Sequence, residues 1–271
     1  MSRTVFRAAV TATLVSGGLV VAMAASPAAG AASTVKYVAL GDSYSSGLGA
    51  GNYISSSGSC DRSNNAYSQQ WANGNLPASF SFVACSGATT ADVQSSQVSA
   101  LNSGTTLVSI TIGGNDAGFS SVMETCVLES TSSCVNAVNT AESFVATTLP
   151  GRLDATLAAI RSRAPNARVV VLDYPELYDL SKSSSCIGLS TTDRTKLNEA
   201  ADRIDSAISA AAGRAGDPFA DVRSQFSGHE ICDGSSSWLH SVDIFNIGDS
   251  YHPTASGQEQ GYEPVFARNA G

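Results

Sequence analysis

Charged side chains are scarce in this chain, and basic ones are scarcer than acidic ones. Only 14% of the 271 residues are charged, and 15 Lys and Arg stand against 23 Asp and Glu, which gives a formal net charge of −8. So low a charge content excludes the charge-rich disordered proteins, in which self-repulsion prevents collapse. The acidic balance repels phosphate backbones, so we expect no nucleic acid partner.

Several short motifs that mark common enzyme and binding classes are also missing. The sequence has no G-x-S-x-G, the nucleophile motif of the α/β-hydrolases, and neither glycine-rich motif of nucleotide- and phosphate-binding modules. It has no C-x-x-C pair, which argues against a zinc site of the usual spacing. We therefore expect neither a metal nor a cofactor.

Long apolar runs are confined to the N-terminus. The first 33 residues contain no acidic side chain, carry Arg3 and Arg7, continue through a mostly apolar stretch and end in small residues around Ala31 and Ala32. That order predicts a secretory signal peptide over residues 1–32, cleaved near Ala31 or Ala32, and an extracellular protein. A membrane anchor is the alternative, but small and polar residues interrupt the apolar core, which is short for a spanning helix.

The six cysteines agree with export, because an even number of cysteines in an exported chain is typical of disulfides. Buried free thiols are the alternative, and they suit the cytoplasm better. Of the 15 pairings that six cysteines allow, sequential pairing is the simplest. It predicts Cys60–Cys85, Cys126–Cys134 and Cys186–Cys232.

Apolar patterning predicts an α/β fold. Short apolar runs predict strands over residues 35–40, 80–84, 107–112, 168–173 and 219–222. Helical spacing predicts helices over residues 135–144, 151–163 and 192–212, with Pro150 as a break and a last helix opening at His252 and Pro253. Strands that alternate with helices indicate a mainly parallel sheet, and continuous apolar strands fit a sheet covered on both faces. We interpret residues 33–271 as one domain.

Residues suited to acyl transfer follow three of these strands and recur near the C-terminus. Ser43 lies in Gly-Asp-Ser after the first strand, Gly87 follows the second, and Asn115 lies in Gly-Gly-Asn-Asp after the third. His252 and Asp249 share an Asp-x-x-His-Pro segment. In such sheets ligands bind at the carboxyl ends of the strands. A serine hydroxyl needs a base such as His, while Gly N–H groups and an Asn amide can stabilise an oxyanion.

Taken in order, these four blocks resemble those of the SGNH (GDSL) hydrolases, from Gly41 to Pro253. The wider contexts of Ser43 and Asn115, the segment Trp238-Leu239-His240 and the six cysteines are similar to the branch of secreted actinomycete lipases, esterases and phospholipases. The resemblance implies the SGNH hydrolase fold, a flavodoxin-like three-layer α/β/α sandwich with a mainly parallel five-stranded sheet.

The resemblance also implies a role for each residue. Ser43 would be the nucleophile, and His252 the general base and acid. The N–H groups of Ser43 and Gly87 and the side-chain amide of Asn115 would form the oxyanion hole. We expect Asp249 to orient His252, because it occupies the place of the family's acid. In some members of the branch a main-chain carbonyl two residues before the His takes that role, and here it would belong to Ser250.

In function, the resemblance implies a secreted, metal-independent serine ester hydrolase that cleaves lipid or fatty acyl esters through an acyl-enzyme on Ser43. Its partners would be an ester or lipid substrate and, transiently, a lipid interface, and we expect a monomer. Two alternatives stay open. One is a carbohydrate acetyl esterase of the same fold, and the other is a non-catalytic binding module.

Overall fold

The sheet has five strands in the part of the chain that the structure, a computed structural model, describes: residues 33–182, 186–243 and 246–271. The signal peptide predicted over residues 1–32 lies outside the described residues. The strands are β1 Lys36–Ala39, β2 Ser79–Phe82, β3 Leu107–Ile110, β4 Arg168–Leu172 and β5 Phe219–Ala220. All neighbours pair in parallel in the order β2-β1-β3-β4-β5. The predicted five-stranded α/β fold is confirmed.

Helices fill the connections between these strands and follow the last strand. They are α1 Ser43–Ser46, α2 Tyr67–Asn75, α3 Thr90–Ser95, α4 Phe119–Leu128, α5 Thr131–Thr147, α6 Leu149–Arg163, α7 Thr191–Ala215, α8 Arg223–Phe226 and α9 Glu263–Ala270. They pack in separate groups, α2 with α9, and α5 with α6 and α7. The central strand β3 is buried along its whole length, which explains its mostly apolar sequence.

The helices predicted over residues 135–144, 151–163 and 192–212 are confirmed as α5, α6 and α7. The fourth, predicted to open at His252 and Pro253, begins later than expected. Pro150 lies in the first turn of α6, where its missing N–H costs no helical hydrogen bond. Pro253, in contrast, forms a β-bridge with Leu239, and the N–H of Thr254 donates to the Trp238 carbonyl. These contacts hold the chain extended, so helical backbone starts only at residue 255 and passes through a π-helix, Gly257–Tyr262, into α9.

The predicted disulfide pairing is confirmed for all three bonds, Cys60–Cys85, Cys126–Cys134 and Cys186–Cys232. The first joins the loops that follow β1 and β2, and the second joins α4 to α5. Among the described residues, no helix is long and apolar enough to cross a membrane. The same residues contain no cluster of three or more His, Cys, Asp or Glu side chains able to hold a metal ion.

Candidate active site

Ser43 is presented by a sharp turn between β1 and α1. Gly41 has a φ of +123°, and a Cβ at that position would lie 2.5 Å from the Thr111 carbonyl oxygen, so only glycine fits. Asp42 then caps α1, because its carboxylate accepts a hydrogen bond from the Tyr44 N–H at 3.0 Å. Ser43 is the first residue of that helix, where a backbone N–H has no acceptor within the helix.

The turn is fixed by a side chain far away in the sequence. The amide of Gln97 accepts from the Gly41 N–H at 2.8 Å and donates to the Gly41 carbonyl at 2.9 Å, so it pairs with both backbone groups of one residue. On the other side, the Ser45 hydroxyl accepts from the Thr111 N–H at 3.0 Å. Sequence reasoning missed Gln97, because a glutamine 56 residues from its partner gives no local signal.

Tyr174, which follows β4, joins the Ser43 turn to the Asn115 loop. Its hydroxyl donates to the buried Asp42 carboxylate and accepts from the Gly114 N–H at 3.0 Å. Burial raises the pKa of Asp42 to about 7, although the hydrogen bond from Tyr174 partly offsets that rise. Asp42 is therefore a buried group that stabilises the start of α1 by accepting hydrogen bonds from Tyr44 and Tyr174.

His252 lies beside Ser43, as the sequence predicts. Its Nε2 is 2.8 Å from the Ser43 Oγ, and its Nδ1 is 3.0 Å from the carbonyl oxygen of Ser250. A carbonyl oxygen can only accept a hydrogen bond, so Nδ1 carries the proton. In the neutral ring Nε2 is then the acceptor, and the Ser43 hydroxyl donates to it.

The expectation that Asp249 orients His252 is not met by this geometry. One Asp249 oxygen accepts from the Tyr53 hydroxyl at 3.0 Å, and the other accepts from the Asn246 side chain. The 3₁₀ turn Ile247–Asp249 ends immediately before Ser250, and this turn brings the Ser250 carbonyl rather than the carboxylate to the ring. The alternative acceptor, the main-chain carbonyl, is therefore the one in contact.

A second contact anchors the segment that carries His252. The Tyr44 hydroxyl donates to the Tyr251 carbonyl at 2.7 Å, and the Tyr44 ring lies 5.2 Å from the His252 ring between centroids. Tyr251 has a φ of +67°, a left-handed conformation that is strained for a bulky residue. Tyr44, which follows Ser43 in the chain, thus fixes the backbone of Tyr251, which precedes His252. Sequence reasoning assigned no role to Tyr44.

Burial decides the protonation of His252. His252 is only 8% exposed, and removal of its ring from water lowers its pKa to about 4, although the Ser250 carbonyl and the more distant Asp249 carboxylate partly offset the shift. The imidazole is therefore neutral at neutral pH, which is the form that can accept a proton.

Of the residues predicted for the oxyanion hole, Asn115 lines the same cavity as Ser43, and Gly87 lies in a turn that is bonded to Asn115. The Asn115 side-chain amide donates one hydrogen bond to the Ala88 carbonyl at 3.0 Å, which ties it to the turn that contains Gly87. Gly87 has a φ of +77°, and its N–H donates no hydrogen bond within the described residues. Asn115 and Ser43 line the same cavity, and the Asn115 amide donates no second hydrogen bond within the described residues. Two of the three predicted donors thus adjoin the nucleophile, and the third is tied to them.

A neutral histidine that accepts a hydrogen bond from a serine, at the carboxyl edge of a parallel sheet, defines the class as a serine hydrolase of the SGNH type. The chain belongs to the GDSL-like lipase/acylhydrolase family, whose model matches residues 39–260, and it is an ester hydrolase.

Individual relatives cover most of the chain. It is 54% identical over 253 residues to Lipase 1 of Streptomyces coelicolor, covering 93% of each chain. The crystal structure of phospholipase A1 from Streptomyces albidoflavus is 56% identical with a TM-score of 0.85, covering 87% of this chain and 99% of that one. The extracellular lipase from Streptomyces rimosus is 51% identical with a TM-score of 0.84, with the same coverage.

Proposed function

We propose that this chain hydrolyses fatty acyl esters of lipids through an acyl-enzyme on Ser43, with His252 as the general base and acid. The observation that carries the proposal is the 2.8 Å contact between Ser43 Oγ and the acceptor nitrogen of His252. The lipid substrate is supported by relatives that are named lipases and a phospholipase A1.

The first half of the reaction forms the acyl-enzyme. Ser43 Oγ attacks the ester carbonyl carbon as its proton passes to Nε2 of His252. The carbonyl oxygen becomes an oxyanion, which accepts hydrogen bonds from the N–H groups of Ser43 and Gly87 and from the Asn115 amide. The C–O bond to the alcohol then breaks, and the imidazolium gives its proton to the departing alkoxide.

In the second half, water replaces the alcohol. His252 takes a proton from the water molecule, whose oxygen attacks the acyl carbonyl, and the same donors hold the second oxyanion. When the intermediate collapses, the proton returns to Ser43 Oγ and the fatty acid leaves. The Ser250 carbonyl holds the Nδ1 proton throughout, which keeps the ring in one tautomer.

We further propose that the protein acts outside the cell, after removal of residues 1–32 near Ala31 or Ala32. In this segment two arginines are followed by an apolar stretch and then by small residues, an order that supports export. The three disulfides agree with an oxidising compartment. The similar Streptomyces rimosus lipase is described as extracellular.

Kinetics on an ester panel test the proposal. We expect wild-type protein to hydrolyse p-nitrophenyl esters of fatty acids, and triglyceride or phosphatidylcholine, in preference to acetylxylan. Ser43→Ala should fold with an unchanged circular dichroism spectrum and lose at least about a thousandfold in kcat, because no other serine hydroxyl among the described residues is hydrogen-bonded to His252. Ser95→Ala, which removes a serine hydroxyl on the exposed side of another helix, α3, is the matched control. Turnover by Ser43→Ala near the wild-type value would refute the proposal.

A further inference from the structure

Two of the predicted oxyanion donors lie on separate segments of the chain. Residues 83–90 follow β2 and include Gly87, and we call them the Gly87 segment. Residues 111–119 follow β3 and include Asn115, and we call them the Asn115 segment, which folds partly on itself because the Gly118 N–H donates to the Asn115 carbonyl at 3.1 Å. Within the described residues, no hydrogen bond between backbone groups joins the two segments. Side chains therefore make the hydrogen bonds between them.

Asp116 makes most of these hydrogen bonds. Its carboxylate accepts from the Thr90 N–H at 2.8 Å and from the Thr90 hydroxyl at 2.7 Å. The neighbouring Asn115 donates to the Ala88 carbonyl at 3.0 Å. These two adjacent side chains bind the residues on either side of Thr89. They account for all the hydrogen bonds between the two segments in the part of the chain that the structure describes.

The residue on the other side of Asn115 is bonded to the turn of the nucleophile. The Gly114 N–H donates to the Tyr174 hydroxyl at 3.0 Å, and that hydroxyl is bonded in turn to the segment that presents Ser43. The donor amide of Asn115 therefore lies between two anchored residues. Gly114 fixes its position relative to Ser43, and Asp116 fixes its position relative to the Gly87 segment.

Every contact of the Asp116 carboxylate is structural. The Thr90 N–H belongs to the first residue of α3, where it has no acceptor within the helix, so Asp116 satisfies it. The Asp116 side chain is fully buried, and Arg152 on α6 pairs with it at 3.0 Å, which balances a negative charge near the place where the oxyanion forms. With these partners the carboxylate is not available as an acid or a base. Its remaining contribution is to the placement of the two segments.

We propose that Asp116 is a positioning residue for the oxyanion hole, an inference that rests on the proposed function. It acts through Asn115 and Gly87 by fixing the separation of the segments that carry them. Oxyanion donors are effective at about 2.7–3.1 Å from the oxyanion, so a small displacement weakens the stabilisation of the transition state. Binding of the uncharged ester depends much less on these donors. The role therefore predicts a loss in kcat and little change in KM.

Steady-state kinetics on p-nitrophenyl butyrate test the proposal. Asp116→Ala should lower kcat by about ten- to a hundredfold and change KM by less than about threefold, because displacing a donor costs less than removing one. Asp116→Asn keeps an oxygen that can accept from the Thr90 N–H, so it should recover most of the loss. Thr90→Val removes one of the same hydrogen bonds from the other segment and should lower kcat by at least about twofold, which keeps the test decisive if Asp116→Ala does not fold.

Asp92→Ala is the matched control, because it removes another carboxylate from the same end of α3. Asp92 accepts from the Thr89 N–H at 2.8 Å and from the Thr89 hydroxyl at 2.6 Å, and it has no hydrogen bond to the Asn115 segment within the described residues. We expect Asp92→Ala to lower the Tm, as Asp116→Ala does, and to keep the kcat of wild type.

A reversible inhibitor gives a readout that loss of stability does not move. In the adduct of an alkyl trifluoromethyl ketone, Ser43 Oγ bonds to the ketone carbon, the Ser43 proton passes to His252, and the ketone oxygen becomes an oxyanion at the same donors. The inhibition constant should rise about as much as kcat falls in Asp116→Ala, because both depend on these donors. In Asp92→Ala it should equal that of wild type.

The proposal is overturned if Asp116→Ala and Thr90→Val both keep kcat and the inhibition constant within about twofold of wild type. It is also overturned if Asp92→Ala loses as much kcat as Asp116→Ala does, since the effect would then come from the stability of α3. In both cases Ser43→Ala would still be inactive. An active Ser43→Ala would instead refute the proposed function, so the two failures are distinguishable.

Discussion

At the scale of single residues, the partner of His252 determines what a carboxylate can contribute to catalysis. A triad acid orients the imidazole and stabilises the imidazolium by its charge, and its neutralisation costs about 10⁴ in kcat in well-studied serine proteases. Here a neutral main-chain carbonyl holds Nδ1 at 3.0 Å, and no side-chain substitution removes a backbone carbonyl.

Asp249→Asn should therefore retain most of its turnover. The Asn side chain can still accept from the Tyr53 hydroxyl, and the ring keeps its contact with Ser250. We expect kcat within about fivefold of wild type on p-nitrophenyl butyrate, far from the loss of a triad acid. His252→Ala, assayed in parallel, should lose nearly all activity. A loss of three orders of magnitude in kcat for Asp249→Asn would show instead that the Asp249 carboxylate takes part in catalysis.

At the scale of elements, two buried carboxyls link the end of β4 to its neighbours. Asp173 accepts from the Val222 N–H after β5 at 2.8 Å, and Asp205 on α7 accepts from the Tyr174 N–H after β4 at 3.1 Å. The second oxygen of each has no hydrogen-bond partner among the described residues, and Arg223 Nε lies 3.7 and 3.8 Å away.

Burial raises the pKa of Asp173 to about 8 and that of Asp205 well above its usual range. The nearby carboxylates of Asp221 and Asp202 add to these rises, and Arg223 opposes them. Between the unfolded pKa of about 3.9 and the folded value, the native state binds more protons than the unfolded state. The free energy of unfolding should therefore fall as pH rises from about 4 to 8, by at most about 1.4 kcal/mol per pH unit for each carboxyl.

Asp205→Asn should remove part of this pH dependence. The Asn oxygen still accepts from the Tyr174 N–H, and its NH₂ can donate to Asp173. Thermal melts from pH 4 to 9 should show a flatter Tm profile for the variant and a higher Tm than wild type at pH 8. Asp154→Asn, on the surface of α6, is the control and should run parallel to wild type. If the Tm profiles of wild type and Asp205→Asn run parallel from pH 4 to 9, Asp205 does not contribute to the pH dependence of stability.

The elements also show what a sequence can predict. The central strands β3 and β4 were predictable because each is a mostly apolar run that is buried along most of its length. The short helices α1 to α3 and the π-helix were not, because few apolar residues recur in them and contacts from distant segments stabilise them. Gly261, in the π-helix, shows such a distant contact, because its backbone packs so closely on Phe226 that a Cβ there would lie 2.3 Å from the ring.

Within the site, the residues that belong to sequence blocks could be predicted, whereas those that position them could not. Ser43, Asn115 and His252 lie in recognisable blocks and come together as expected. Gln97 and Tyr174 act on the backbone or side chains of distant segments, so only the folded chain shows their roles. The choice between Asp249 and the Ser250 carbonyl could not be made from the sequence, because a three-residue turn decides which oxygen faces the histidine, and residue identity does not report that turn.

At the scale of the whole molecule, the fold brings together residues 209 positions apart. Disulfides stabilise the loops and helices around the contact between Ser43 and His252. Cys60–Cys85 adjoins the Gly87 turn, and Cys126–Cys134 joins α4 to α5, two helices that line the cavity beside Ser43. Such cross-links act mainly by restricting the unfolded chain.

The most direct test of the central claim is covalent trapping of the nucleophile. A long-chain alkyl p-nitrophenyl phosphonate should transfer its phosphonyl group to Ser43, with release of one p-nitrophenolate per protein. Mass spectrometry of the digested wild-type protein should then find the adduct on Ser43 alone, and Ser43→Ala should gain no adduct. An adduct on another residue, or equal labelling of Ser43→Ala, would contradict Ser43 as the nucleophile.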